Sequence, residues 1–300
     1  MIVLGIDAGG SSTRWLLRHE SDVLAQGKVA SISGHVSTEE QRERNAQCLS
    51  KMLLEVLSIA RPEAVVAGIT GLSANLEARL FFQQLLSQTL ELPLHQITIY
   101  DDITLAYVSC FKPDEGVAVY AGTGSIAYHL KRDGSSLRAG GFGYLIDDAG
   151  GGFWIGREGL KQVLRWMDAT GNKSNQPLAL AIYEALGVET WAEISPIIYE
   201  GGRSKLAALA PAVAKAANQN DEAALEILKE AGRELAQLAI LLLNRMEKSL
   251  PVAFVGGIAA LSPILEKAFK DALPVGVEFL VVNKEPVEAA VQLALEVKQG

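Results

Sequence analysis

The chain has 300 residues, 49% hydrophobic and 21% charged, with a formal net charge of −8. That is enough apolar material for two cored domains, and the negative balance argues against nucleic acid or an anionic membrane as a partner. Two cysteines, Cys48 and Cys110, exclude a disulfide framework or a four-thiolate zinc site; with no signal-peptide pattern and no apolar run of the ~20 residues a bilayer requires, a cytoplasmic protein is expected.

In chain order, residues 2–6, 14–18 and 22–30 read as three strands of a meander. Between the first two lies Asp7-Ala8-Gly9-Gly10-Ser11-Ser12-Thr13, far longer in turn residues than a tight hairpin requires. Gly9 and Gly10 let an anion approach backbone N–H groups, and Ser11, Ser12 and Thr13 add hydroxyl donors. Asp7, at a strand end, can hold the water shell of Mg²⁺. The bland alternative is a hairpin with a polar tip. Residues 38–58 form a long helix, 64–69 a buried strand, 75–89 a helix, 97–100 a strand and 102–110 a helix. In Asp101-Asp102, one acid can cap the helix and the other can point into a cleft, where a carboxylate could orient a hydroxyl and take its proton. His35, in Ser33-Gly34-His35-Val36, is either a surface or capping residue or a member of that cleft.

Lys112-Pro113-Asp114-Glu115-Gly116 is a polar break, after which the pattern restarts. Residues 117–121 are a strand, Gly122-Thr123-Gly124-Ser125 a turn, and 126–131 a second strand that turns at Asp133-Gly134. The loop matches G-x-G-x-x-G/A on paper, but that fingerprint needs a helix after the glycines, and a strand is expected here. A hairpin gripping phosphate is the remaining chemical possibility. The stretch 140–152 follows, with six glycines in thirteen residues among Phe, Tyr, Leu and Ile. This composition suits backbone passing close to a ligand, with Gly141 in the approach, Asp148 reaching hydroxyls and Phe142 offering a ring face; a glycine-rich lead-in to a helix is the alternative. Residues 153–167, 176–186, 203–217 and 220–248 read as helices, 252–255 as a strand, 261–273 as a helix, 277–282 as a strand and 287–297 as a terminal helix. Gly256-Gly257 ends a strand before a helix, which fits either a purine lying against backbone or a tight turn. His19, His95 and His129 show no ligand spacing, so no histidine-held metal is expected. Two domains are expected, 1–113 and 114–300, the second with a helical insertion and a terminal helix able to pack back on the first.

Together these motifs resemble the sugar kinase/actin/heat-shock-protein ATPase superfamily. The likeness is closest to the N-acetylglucosamine and glucosamine kinase-like branch, the BadF/BadG/BcrA/BcrD ATPase family, and it spans the whole chain. It implies an α/β fold of two ribonuclease H-like, actin-like ATPase lobes with a cleft between them. It also implies an ATP- and Mg²⁺-dependent kinase for a hexose or amino sugar, acting at the 6-hydroxyl, and a homodimer. By resemblance Asp102 is the catalytic base and Asp7 the Mg²⁺ residue, through water. Gly9, Gly10, Ser11, Ser12, Thr13, Gly122, Thr123, Gly124, Ser125, Gly256 and Gly257 hold the nucleotide; His35, Asp102, Gly141, Phe142 and Asp148 hold the sugar. Relatives usually carry Asn at the place of His35, and many carry Trp at Phe142 and Glu-Gly-Ser at Ala149-Gly150-Gly151. These departures touch sugar identity and leave phosphate handling alone. An activator ATPase of an acyl-CoA reductase or dehydratase system is the alternative, but it needs cysteines for an iron–sulfur cluster, and Cys48 and Cys110 lie on expected helices of the first lobe. A catalytically silent sugar sensor is a third possibility, disfavoured by Asp102.

Overall fold

The structure is a computed structural model that describes residues 1–9, 12–72, 75–282 and 285–297. The chain divides into two compact units, Met1–Phe111 with Lys284–Gly300, and Lys112–Asn283.

The first unit opens with the antiparallel strands β1 (Ile2–Ala8), β2 (Thr13–His19) and β3 (Asp22–Val29). Helix α1 (Glu39–Ile59) leads to β4 (Ala64–Ile69), α2 (Leu76–Leu90) to β5 (Ile97–Asp101), and α3 (Asp102–Val108) closes the segment. β4 and β5 pair in parallel with β1, giving the order β3-β2-β1-β4-β5. All six residues of β4 are buried, because helices cover both faces. The period of two sorts the side chains. Leu4, Ile6, Val65 and Ala67 enter the core under α1 and α2, where Met52, Leu53 and Phe82 meet them. Val3, Ala64 and Val66 enter a second core with Leu105 of α3. Helix α1 begins at a capping box, with Thr38 and Gln41 satisfying each other's N–H groups.

The second unit repeats the plan. β6 (Val117–Ala121), β7 (Ser125–Leu130) and β8 (Ser136–Gly140) form an antiparallel meander. A helical region follows, α4 (Gly152–Thr170), α5 (Pro177–Leu186), α6 (Trp191–Ala207), α7 (Ala210–Ala217) and α8 (Glu222–Met246). Then come β9 (Val252–Val255), α9 (Pro263–Ala272) and β10 (Phe279–Val282). β9 is parallel to β6 and β10 to β9, so the order β10-β9-β6-β7-β8 is that of the first sheet. The last helix, α10 (Pro286–Glu296), packs on β1 and β4 of the first unit. Val287, Ala290, Val291 and Ala294 join the core of Val3 and Val66, and a Cβ on Gly5 would sit 2.6 Å from Val287 O.

The helical region differs from the sequence expectation. One expected helix, 203–217, is the end of α6 plus a separate α7. α6 starts at Thr190, whose N–H and hydroxyl donate to the Glu193 carboxylate, a Thr-x-x-Glu signal in a stretch outside the expected helices. Inside α6, Gly202 has φ 53° and ψ −140° and breaks the helix. Among the described residues no helix is long and apolar enough to cross a membrane.

Candidate active site

In the first unit the parallel pairing of β1, β4 and β5 brings their carboxyl ends to one edge of the sheet, the edge at which open α/β sheets carry ligands. Asp7, Thr70 and Asp101-Asp102 meet there. Asp101 is the cap of α3: Oδ1 accepts the Thr104 N–H at 2.7 Å and Oδ2 the Thr104 hydroxyl at 2.8 Å. That leaves Asp102 for another task. Its carboxylate accepts the Ile103 N–H at 3.1 Å and the Thr70 hydroxyl. Burial pushes its pKa above the usual carboxylate range, with the Thr70 hydroxyl pulling the other way. Burial likewise pushes Asp7 up to about 6; Arg14 opposes the rise, while Asp102 and Glu285 add to it. Arg14 faces Asp7 in register and pairs with Glu285 at 2.9 Å.

Thr70, which carries no signal in the sequence beyond following a buried strand, ties this edge together. Its N–H donates to Ala8 O at 2.9 Å, its carbonyl accepts the Gly34 N–H at 2.8 Å, and its hydroxyl reaches Asp102. His35, next to Gly34, is exposed; a Cβ on Gly71 would stand 3.1 Å from its Nε2, so the ring lies over Gly71. Ser31, Ser33, His35, Gln41, Arg44 and Asn45 line a cavity of about 210 Å³. Asn45, buried, fixes this loop by accepting the Ser33 N–H at 3.2 Å and donating to Ser33 O at 2.8 Å.

Of the first glycine loop, Gly10 and Ser11 lie outside the described residues. The Gly9 N–H donates to Ser12 O at 3.0 Å, and the Ser31 hydroxyl donates to Gly9 O at 3.1 Å. Thr13 is fully buried and its Oγ1 accepts the Ile32 N–H at 3.0 Å. Its Oγ1 therefore braces the loop from inside.

The second unit draws its motifs into one cluster of its own. Strand β7, not a helix, follows Gly122-Thr123-Gly124-Ser125, so the dinucleotide fingerprint does not apply. The Gly122 N–H donates to Gly124 O at 3.0 Å, closing the turn. Gly256, at φ 99°, packs against Ala121, and the Ile258 N–H donates to Ala121 O at 3.0 Å. The Gly256-Gly257 turn thus adjoins the Gly-Thr-Gly-Ser loop, and a Cβ on Gly257 would meet open space. The Ser125 hydroxyl, expected on phosphate, is buried and donates to Ala149 O at 2.7 Å.

The glycines of 140–156 serve packing more than the sequence indicated. The N–H groups of Gly152 and Phe153, in the first turn of α4, donate to Gly122 O (2.8 Å) and Thr123 O (2.9 Å). A Cβ on Gly151 would stand 2.8 Å from the Gly124 Cα, and one on Gly156 would overlap Leu206 O. Here the backbone approaches the protein's own backbone. Gly141, at φ 69°, sits against Ile126, and Phe142 is 63% exposed. Of the two acids, Asp147 is exposed and accepts the Ala149 N–H at 3.2 Å. Asp148, at φ 69° and only 3% exposed, accepts the Gly143 N–H at 3.3 Å and pairs with Arg203 at 3.6 Å. Burial raises its pKa against the pull of Arg203.

Two clusters of loops and acids at the carboxyl ends of two sheets of identical order suit phosphate chemistry. A family model described as the BadF/BadG/BcrA/BcrD ATPase family matches residues 4–281. The chain belongs to this family. This ATPase-family chain is 28% identical over 267 residues to an N-acetylmuramic acid/N-acetylglucosamine kinase of Clostridium acetobutylicum, covering 85% of each chain. It is 30% identical over 195 residues to an N-acetyl-D-glucosamine kinase of Dictyostelium discoideum, covering 61% of this chain and 60% of the other. A solved structure from Chromobacterium violaceum, named provisionally as an N-acetylglucosamine kinase, superposes with a TM-score of 0.72 at 25% identity over 98% of both chains. The ATPase-family fold is α/β, with two actin-like ATPase units.

Proposed function

We propose that this ATPase-family protein is an ATP-dependent sugar kinase that phosphorylates N-acetylglucosamine or glucosamine, or a closely related hexose, at the 6-hydroxyl. The observation that carries this reading is the division of labour at Asp101-Asp102. Asp101 meets the capping demand of α3, so Asp102 stays available as a half-buried carboxylate steadied by Thr70. Its raised pKa makes it a better proton acceptor than a solvated aspartate. Asp102 orients the sugar hydroxyl and takes its proton as the phosphoryl group transfers. Asp148 holds hydroxyls of the sugar ring, with Gly141 and Phe142 beside it; His35 is a further sugar residue by the family resemblance. The first glycine loop, and Thr123 and Gly124 of the second, offer backbone N–H and hydroxyl donors to the phosphates, and Gly256-Gly257 offers a flat face to adenine. Most of the rate gain comes from orientation and from stabilising charge on the transferred group.

The residues fit Mg²⁺. Asp7 and Asp102 are neighbouring half-buried acids with Arg14 as the nearby cation, and a hard divalent ion relieves such crowding. No group of three His, Cys, Asp or Glu able to hold a metal occurs among the described residues, so Asp7 would hold the ion through water, with phosphate oxygens completing its shell. Bound there, Mg²⁺ neutralises phosphate charge. By the same family resemblance such a kinase acts in the cytoplasm as a homodimer.

The test is a coupled ADP-release assay across glucose, glucosamine, N-acetylglucosamine, mannose and N-acetylmuramic acid. Release that depends on an amino sugar, with the product phosphate on O6 by ³¹P–¹H correlation, supports the reading. ATP hydrolysis indifferent to every sugar, in a protein that purifies with iron, contradicts it and favours an activator ATPase.

A further inference from the structure

Arg203 belongs to none of the sequence motifs, yet three features bring it to the centre of the second unit's cluster. Its guanidinium pairs with the buried Asp148 carboxylate at 3.6 Å. It lies over the Tyr144 ring at 5.5 Å from the centroid, and Tyr144 in turn meets Phe153 of α4 edge-on at 5.1 Å. A Cβ on Gly124 would stand 3.0 Å from Arg203 Nη2 and would overlap the Asp148 carboxylate. The second glycine of the Gly-Thr-Gly-Ser loop is therefore glycine because the Asp148–Arg203 pair occupies the space of its side chain. The chain invests in this placement. Gly202 breaks α6 immediately before Arg203, at a φ/ψ costly for other residues. One turn later, the Leu206 carbonyl is seated on the Cβ-less face of Gly156, which fixes where the turn carrying Arg203 lies.

We propose that Arg203 is a positioning residue for sugar recognition: it holds the Asp148 carboxylate ionised and aimed beside Gly124, so that the sugar-binding acid and the phosphate loop keep one fixed geometry. This rests on the kinase reading given above. The groups facing Asp148 are Arg203 from α6, the neighbouring Asp147, and the N–H groups of Gly143 and Ser125. Arg203 and the two amides favour the charged form; burial and Asp147 oppose it. Without Arg203 the carboxyl holds its proton to a higher pH, and a protonated carboxyl loses two charge-assisted acceptors for sugar hydroxyls.

The experiment compares wild type, Arg203→Met and Arg203→Lys, all checked for folding by thermal melts. Sugar kinetics and a ¹³C NMR titration of the Asp148 carboxyl are recorded for each. Arg203→Met should raise the KM for sugar about tenfold with kcat changed much less, and move the acid limb of kcat/KM to higher pH. The Asp148 titration should move the same way, and Arg203→Lys, which keeps the charge but not the flat stack on Tyr144, should restore part of each. A sugar KM within twofold of wild type in Arg203→Met overturns the assignment, whatever the titration does. If wild type phosphorylates no sugar, the kinase reading falls separately; an unshifted Asp148 titration in Arg203→Met then overturns the role given to Arg203.

Discussion

Asp7 is the residue whose chemistry the pH exposes most directly. Its carboxyl, pushed up to about 6 against an ordinary 3.8, is penalised in the folded state when charged. A raised pKa stabilises the fold at low pH, and that contribution is lost as the pH climbs through about 6. Asp7→Asn removes the penalty. The variant should melt higher than wild type at pH 8, by about 1–2 kcal/mol after screening by solvent, and the difference should vanish toward pH 4; a melting series in pH checks this. If Asp7 holds Mg²⁺ as proposed, the same group should set an acid limb for catalysis near pH 6, and that limb should move lower as Mg²⁺ is raised, because the ion favours the carboxylate. Steady-state rates at two Mg²⁺ concentrations measure the shift. At this scale the sequence carries the acids well. Asp7 and Asp148 stand out as polar residues in glycine-rich surroundings, and the Asp101-Asp102 doublet announces a cap and a spare. What it does not carry is the second partner of each acid. Thr70 reaches Asp102 only because β4 lies beside β5, and Arg203 reaches Asp148 only because α6 breaks at Gly202; neither adjacency exists along the chain.

Among the elements, strands are the most legible, because short runs such as Ala64–Ile69 are buried on both faces and leave no helical stripe. Helices α1 and α8 are legible from their apolar spacing, and their caps at Thr38 and Asp221 agree with it. The region between α5 and α8 is not. Thr190 and Glu193 mark a start, but Pro196 and the Gly201-Gly202 pair break the propensity of the segment that follows, and tertiary packing decides the outcome. That packing centres on Gly156, where α4 and α6 come together as closely as backbone allows. Gly156→Ala should therefore destabilise the protein by about 1–3 kcal/mol through overpacking, although alanine is the better helix former. Urea denaturation measures it; a gain in stability would show that the two helices are not held in this contact. If the contact orients Arg203, the same variant should raise the sugar KM in step with Arg203→Met.

For the molecule as a whole, the repeat of one strand order in two sheets is visible in the sequence as a restart at Val117 after a polar break. The stripe on Pro286–Glu296 says only that one face of the last helix is covered; that β1 and β4 cover it follows from the fold, through the bare backbone of Gly5. Neither the net charge of −8 nor the composition hints at phosphate chemistry, since the proposed donors are backbone N–H groups and a few hydroxyls. The proposed function turns on one carboxylate, that of Asp102. Its most direct test compares wild type with Asp102→Asn, measuring amino-sugar-dependent ADP release and, by calorimetry, affinity for a non-hydrolysable ATP analogue. Loss of a general base typically removes about 10²–10⁴-fold of the rate, so the variant should fall at least a hundredfold in kcat while binding the analogue within about threefold of wild type. A variant that keeps more than a few per cent of wild-type kcat would contradict the central claim.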